Sequence, residues 1–334
     1  MNQKVTSFDV ARLAGVSQPT VSRALRNIPG ASPETRERVL RAARDLAYIP
    51  SDSGRSLSRR STRRIAVVSE ELTNPYYPEL VEPLRRHLVS HDYRMVIVTD
   101  EATRTVGLDA LADGSYDGVV LTTAGRRSTL PRDLTERGVP HVLVNRTLDH
   151  PESPSCRMDN RGGAEAVSDL LASLGHERIG AIHGPVETST GKERSEGLML
   201  GLRRHGLRVR RELSRRVRFD HDAGRAAARE LLDRPDRPTA IVCGNDVIAF
   251  GVLSAARELG LDVPMDLTVV GFDDIPMAAW PFVGLTTVHC DLEQLASVAV
   301  RLLLSQIGDA TVQPSEHEIA VTLSLRATHG PPRS

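Results

Sequence analysis

The chain has no run of 18 apolar residues anywhere in its 334 positions, so it offers no candidate transmembrane helix. Its first ten residues are polar and carry no apolar signal core, so secretion is not expected and a cytoplasmic location is. Cysteine is scarce: Cys156, Cys243 and Cys290 are widely spaced and odd in number. That count argues against a disulfide framework and for reduced core thiols. No spacing joins these cysteines to histidines as metal ligands, and neither a metal nor a cofactor is expected. Lysine is nearly absent: only Lys4 and Lys192 stand among 43 basic residues, and arginine supplies the rest. What remains is an ordinary globular composition, 40% hydrophobic and 26% charged, long enough for two or three domains.

The net charge of zero hides a division. Residues 1–64 hold 13 Lys+Arg against 5 Asp+Glu, and the remainder holds 30 against 38. The phosphate-seeking charge therefore sits at one end, which points to nucleic acid contacted through that end alone.

The first 48 residues read as short helices. Phe8, Val10, Ala11, Leu13 and Ala14 predict one apolar face that ends at Gly15. Pro19 to Leu25 predicts a second helix with Val21, Ala24 and Leu25 inward. Ser32 is a candidate cap with Pro33 in the first helical position, and Val39, Leu40, Ala43 and Leu46 carry the helical period onward. Pro50 stops that helix, and Ser51 to Thr62 is a Ser/Arg-rich linker in which Leu57 is the only large apolar residue. The stretch Asp9–Leu25 fits a helix-turn-helix: Gly15 tolerates the positive φ of a tight turn, and Ser17 can cap the second helix. Gln18, Pro19, Ser22 and Arg23 fall on its outer face, with Ser17 and Thr20 at its start. Glutamine can pair with adenine edges and arginine with guanine edges in a major groove. A lone basic helix would more often be a solvated face; here the turn, the cap, the apolar register and the charge coincide.

From Arg64 the pattern changes. Short apolar runs, Ile65–Val68, Met95–Val98, Gly118–Leu121, His141–Val144, Ile179–His183, Ala240–Cys243 and Thr268–Gly271, alternate with helical stretches. Fully apolar runs suit strands buried on both faces, and the alternation predicts a doubly wound parallel α/β architecture. About 270 residues is large for one such sheet, so two similar subdomains are expected.

Residues 8–62 closely resemble the head and hinge of the lactose-repressor/galactose-repressor (LacI/GalR) family. Asp9–Arg23, Ser32–Val39, Leu46–Pro50 and Arg55-Ser56-Leu57 carry that resemblance. It continues through Asn74-Pro75-Tyr76-Tyr77, Met158–Ala164, Leu174–Ile179, Gly184-Pro185, Arg194–Gly197, Arg237–Ile241, Asn245-Asp246, Val269–Pro276 and Leu285–Val288. The resemblance implies a helix-turn-helix head over 1–50, a hinge over 51–63 that becomes helical on DNA, and a core over 64–330. That core would be two periplasmic-binding-protein-like lobes of doubly wound parallel sheet, crossed near residues 160, 290 and 321. Paired hinge leucines, here Leu57, would wedge into the minor groove. The DNA-contacting set implied is Ser17, Gln18, Pro19, Thr20, Ser22, Arg23, Arg55 and Leu57. Two departures stand out: Pro19 offers no base-pairing group in the recognition helix, and Gly54 weakens a hinge helix by about 0.5–1 kcal/mol relative to alanine.

The effector set implied is Tyr76, Asn145, Thr190, Arg194, Phe219, Asn245 and Asp273. Its chemistry suits a small polar ligand: Arg194 and Asp273 can make charge-assisted hydrogen bonds, Asn245 can give and accept, and Tyr76 and Phe219 offer flat faces. Thr188, where the purine repressor has a residue that helps hold its purine, favours sugar over base. The expectation is a homodimeric repressor of carbohydrate-utilisation genes, released from a pseudo-palindromic operator by a small sugar. The alternatives are a purine- or phosphosugar-type corepressor-dependent regulator and a sugar-binding protein that does not bind DNA. An enzyme is not expected. Gly184–Lys192 has the wrong spacing for a phosphate loop, Glu193 follows the lysine, and no nucleophile elbow is present.

Overall fold

The computed structural model describes residues 5–25, 27–48, 61–69, 72–99, 107–150, 153–309 and 314–333. Arg55 and Leu57, and with them the hinge position Gly54, lie outside the described residues. The chain divides into two compact units, Met1–Thr62 and Arg63–Ser334.

The first unit holds α1 (Ser7–Ala14), α2 (Gln18–Leu25) and α3 (Pro33–Asp45). The Asp9 carboxylate accepts from the backbone N–H and the hydroxyl of Thr6, fixing the start of α1. Gly15, at φ 64°, turns the chain out of α1 in a left-handed conformation that a side chain would strain. Ser32 caps α3 by accepting from the Thr35 N–H at 3.2 Å. Val10, Ala14, Val21, Ala24, Val39 and Ala43 form a small shared core. Phe8, Leu13 and Leu40 stand outside it, 67%, 55% and 42% exposed. The reason is geometric. At about 100° per residue, Phe8 and Leu13 lie roughly 110° to either side of the stripe set by Val10, Ala11 and Ala14. An eight-residue helix against two neighbours buries only that stripe.

The second unit is mixed α/β. Its first sheet contains β1 (Arg64–Ser69), β2 (Arg94–Thr99), β3 (Gly118–Leu121), β4 (His141–Val144), β5 (Ser155–Met158) and β11 (Glu316–Ile319), all parallel, in the order β11-β5-β4-β3-β1-β2. Residues of β1 alternate between its faces: Ile65 and Val67 pack with α4 (Tyr76–Ser90) and α11 (Leu292–Gly308), while Ala66 and Val68 join the cluster with Leu111 of α5 (Leu108–Ala112) and Leu134 of α6 (Leu130–Glu136). A second parallel sheet, in the order β7-β6-β8-β9, contains β6 (Ile179–His183), β7 (Ser214–Arg216), β8 (Ala240–Cys243) and β9 (Thr268–Val270). It is flanked by α7 (Asn160–Ser173) and α8 (Ser189–Arg204) on one face and by α9 (His221–Leu232) and α10 (Asp246–Glu258) on the other.

The chain passes between the two layers three times. β5 leads into α7, β10 (Thr287–Cys290) leads into α11, and β11 leads into β12 (Val321–Ser324); β10 and β12 form a separate antiparallel pair. All seven apolar runs are strands, with ends shifted by at most a residue. One differs in character from expectation: β2 is an edge strand with no fully buried residue, not a strand covered on both faces. The three cysteines are free and buried, and no helix among the described residues is long and apolar enough to cross a membrane.

Candidate nucleic-acid interface and ligand cleft

Helix α2 turns Val21 and Ala24 into the core of the first unit, which leaves Gln18, Pro19, Ser22 and Arg23 on the outside. Proline at the second position of the helix forfeits no internal hydrogen bond, because that N–H has no partner in any helix. The Ser17 carbonyl opens the backbone ladder, accepting from Thr20 and Val21 at 2.9 and 3.1 Å. The Ser17 hydroxyl lies 2.8 Å from that of Thr20. The Gln18 amide donates to the Ser7 hydroxyl at 3.3 Å, tying α2 to the start of α1. Arg23 is exposed, its stem lies beside Gly30, and no ion pair to it occurs among the described residues. Of the expected DNA-contacting set, Ser17, Gln18, Pro19, Thr20, Ser22 and Arg23 therefore occupy one end and face of α2. Arg55 and Leu57 fall outside the described residues.

In the second unit, all seven expected effector residues line one cavity between the two sheets. Tyr76, Asn145, Thr190, Arg194, Phe219, Asn245 and Asp273 are joined there by Asn74, Tyr77 and Arg146. The fold explains the convergence. Asn145 follows β4 and Asn245 follows β8, so both stand at strand C-termini, where open parallel sheets leave a crevice. Asn245 also caps α10, accepting from the Ile248 N–H at 3.0 Å. Phe219 rests on Gly184, where an added Cβ would meet the ring at 2.2 Å.

The centre of the cavity is Arg194. Its Nε donates to Asn160 Oδ1, its Nη1 to the Gly244 carbonyl and its Nη2 to Asp273 Oδ1, each at 2.8 Å. Its guanidinium lies 3.7 Å from the centroid of the Phe272 ring. Arg194 and Asp273 are both buried. Burial pushes the Asp273 carboxyl above the ordinary carboxylate range, and the Arg194 charge and hydrogen bond oppose that shift. Across the cavity the Tyr76 hydroxyl donates to Asn145 Oδ1 at 2.9 Å, and burial raises the Tyr76 pKa well above its usual value. Asp246, beneath the cavity, accepts from Thr287 Oγ1 and the Ile275 N–H; burial and the neighbouring Asp273 charge raise its pKa well above the usual range.

Three non-glycine residues here hold left-handed backbone: Asn145 at φ 69°, Asp273 at φ 116° and Asp274 at φ 55°. Such residues cost on the order of 1–3 kcal/mol each and gather where a side chain must be aimed against backbone preference. Asn145 is held by its N–H to the Cys156 carbonyl, Asp273 by its N–H to the Val288 carbonyl. Asp274 turns the other way, accepting from Ser324 of β12 at 2.9 Å and pairing with Arg326 at 2.6 Å.

The cavity among these side chains measures about 20 Å³, room for a water and far from the roughly 300 Å³ of a small-molecule pocket. The walls are in place, and little free space lies between them. Sequence reasoning missed Asn74, Tyr77 and Arg146. Tyr77 follows Tyr76 directly, and Arg146 follows Asn145 at the end of a buried strand, a position that marks a ligand residue in this architecture. Thr188 caps α8: its hydroxyl accepts from the Gly191 N–H at 3.1 Å and donates to the Pro185 carbonyl at 2.9 Å.

Residues 8–51 match the bacterial regulatory proteins of the lacI family, and residues 168–329 match the periplasmic binding protein-like domain. The chain is 35% identical to the HTH-type transcriptional repressor CytR of Escherichia coli (strain K12), covering 97% of this chain and 96% of that one. Among solved structures it resembles a complex of the transcriptional regulator CelR with cellobiose, at TM-score 0.74 and 32% identity over 97% of this chain and 99% of that one. It also resembles the lac repressor dimer bound to operator and the anti-inducer ONPF, at TM-score 0.84 and 25% identity over 98% and 99%.

Proposed function

The chain belongs to the lacI family of bacterial regulatory proteins, and on that premise we propose that it is a cytoplasmic homodimeric repressor of carbohydrate-utilisation genes, released from a pseudo-palindromic operator when a small sugar enters its cleft. It is a DNA-binding transcriptional regulator, as its relatives are. On this reading it acts by binding rather than by catalysis. The observation that carries the sugar reading is the gathering of seven side chains, scattered from residue 76 to residue 273, around the buried Arg194–Asp273 pair. Asp273, Asn145 and Asn245 would exchange hydrogen bonds with hydroxyls, and Arg194 would donate to them. Thr190 adds a hydroxyl, and Tyr76 and Phe219 would lie against the apolar face of a ring.

In the head, Gln18, Ser22 and Arg23 would read base edges, with Ser17 and Thr20 on phosphate and Pro19 in van der Waals contact. Two heads would occupy successive major grooves, and Leu57, with Arg55 beside it, would hold the centre. A sugar is larger than the 20 Å³ now free, so on this reading it selects a conformation in which the cleft is wider. It shifts the equilibrium only by its preference for that state. The change in lobe angle would respace the two linkers of the dimer and disfavour their DNA-bound form.

A thermal-shift screen of sugars and purines against the full-length protein tests the reading. A ligand at 100 times its Kd adds about 2.7 kcal/mol to the folded state. The expected result is a sugar that raises Tm in the wild type and not in the Phe219→Ala variant. Hits confined to purines would sink it.

A further inference from the structure

One border of the second sheet carries a charge that the cleft does not use. Residues 65–334 hold 30 Lys+Arg against 38 Asp+Glu, yet residues 203–218 alone hold eight arginines against one acid, Glu212. With that segment set aside, 22 basic residues face 37 acidic ones. The scarcity of lysine explains why these cations are arginines; it does not explain why they gather in one segment.

The segment begins in the last turn of α8, passes through a connection and a short helical turn (Arg211–Leu213), and continues along the edge strand β7 to Arg218. From Arg211 to Arg218 the chain covers about 20 Å. Its arginines differ in what they meet. Arg204 pairs with Glu165 of α7 at 2.7 Å and Arg215 with Glu230 of α9 at 2.8 Å, while Arg210 stands near Asp236. Arg216 donates to the Gly184 carbonyl and the Ser195 hydroxyl, neutral acceptors that leave its charge standing. Arg203, Arg208, Arg211 and Arg218 are exposed, and among the described residues their side chains make no ion pair or hydrogen bond.

Two structural duties account for part of this set. Cations complement the C-terminus of a helix, which occupies Arg203 and Arg204, and charges on an edge strand deter pairing with another chain, which occupies Arg215 and Arg216. Arg208, Arg211 and Arg218 serve neither. Nor are they balanced as their neighbours on α9 are, where Arg225 and Arg229 share Glu258 of α10.

We propose that this border of the second lobe is a second, sequence-independent DNA-binding surface, gripping the phosphates of a duplex that the heads do not hold. Guanidinium groups suit phosphate oxygens in charge and in geometry. None of the large apolar residues in 203–218 is exposed, so the surface lacks the apolar centre of a protein interface, whereas phosphate contacts need none. A border of about 20 Å matches about six successive phosphates of one strand. The acidic remainder of the core repels DNA and confines the contact to this border. A family member seated on its operator already holds neighbouring duplex at high local concentration, so a contact of a few phosphates has an effect that it would lack in dilute solution. The proposal is independent of the effector.

The test uses the full-length protein, first saturated with the duplex that wins selection from a random library, so that its heads are occupied. A labelled duplex of unrelated sequence is then titrated in by fluorescence anisotropy at salt concentrations from about 50 to about 200 mM. The wild type should bind it, with a log–log salt slope of about −3 to −4, since each phosphate neutralised contributes about −0.9. Arg203→Gln/Arg208→Gln/Arg211→Gln/Arg218→Gln should bind it at least about tenfold more weakly and lose most of that slope, while keeping its affinity for the winning duplex. An unchanged Tm shows that the variant is folded; Arg208→Gln/Arg211→Gln, which touches no α-helix or strand, should lose about half the slope. Arg225→Gln/Arg229→Gln should bind the second duplex as the wild type does. No second duplex on the saturated wild type, or equal binding by the fourfold variant, overturns the proposal. So does displacement of the second duplex by poly-glutamate at equal charge concentration, which would assign the border to an acidic protein.

Discussion

Removing the carboxylate of Asp273 strands the Arg194 charge in the interior. Both groups are buried, 2.8 Å apart, and breaking such a pair from one side costs about 3–5 kcal/mol because the remaining charge keeps its desolvation penalty. Asp273→Ala should therefore lose about that much, or roughly 6–15 °C in Tm at about 2–3 °C per kcal/mol for a unit of this size. Two comparisons dissect the figure. Asp273→Gly should be milder by about 1 kcal/mol, because glycine relieves the backbone strain at φ 116°. The double variant Arg194→Met/Asp273→Ala should lose less than the sum of its single losses, with a coupling of about 2–3 kcal/mol, since methionine leaves no charge and can keep contact with Phe272. Urea unfolding at neutral pH, followed by tryptophan fluorescence and circular dichroism, reads the wild type, the single variants Asp273→Ala, Asp273→Gly and Arg194→Met, and the double variant. An Asp273→Ala loss below about 1 kcal/mol, or strict additivity in the double variant, would refute the reasoning: the pair would then behave as a screened surface bridge.

Burial, with the Arg216 charge behind it, lowers the His183 pKa from 6.5 to about 4. A depressed histidine stabilises the fold fully above its unfolded pKa, and that contribution is lost as pH falls from about 6.5 to about 4; the limit is roughly 3 kcal/mol. Unfolding curves at pH 7 and pH 4.5 should show a loss that shrinks by most of that amount in His183→Gln; an equal loss in both proteins would contradict it. Gly184→Ala drives a methyl into the Phe219 ring, and overpacking of this kind costs about 1–3 kcal/mol, measurable as a lower Tm; an unchanged Tm would mean that the ring moves freely. Arg23→Ala should lose discrimination between operator and scrambled duplex by about 1–3 kcal/mol while keeping the salt dependence of non-specific binding. A uniform loss on both duplexes, by fluorescence anisotropy, would reassign Arg23 to phosphate.

How much of this was legible in the chain depends on what each residue faces. Gly118–Leu121, His141–Val144, Ile179–His183 and Ala240–Cys243 are strands from end to end, because strands covered on both faces leave an uninterrupted apolar signature. Five strands carry no such signature. β7 reads Ser-Arg-Arg and β11 reads Glu-His-Glu-Ile, for these are sheet edges. β10 and β12 form a two-stranded pair at the passages between layers, and β5 carries Arg157 in an ion pair with Glu193. In the head, apolar identity overstated burial at Phe8 and Leu13, since three short helices enclose only one stripe of each. The cleft was legible only through family resemblance. No local pattern links Tyr76 to Asp273 across nearly 200 positions, and although Asn and Asp are the types that best tolerate left-handed backbone, that tolerance does not single out Asn145 and Asp273 among the chain's other Asn and Asp residues. The small free volume of the cleft arises from how the two lobes meet, which no run of residues encodes.

The central claim is that a ligand in the core governs the grip of the head on DNA. It is tested most directly by selecting bound duplexes from a random library and titrating the winning sequence by fluorescence anisotropy, with and without the sugar that most raises Tm. The account predicts a two-fold-symmetric site whose affinity falls at least about tenfold when the sugar saturates the protein, a difference of about 1.4 kcal/mol between the two states. A site without symmetry, or an affinity indifferent to the bound sugar, would contradict it.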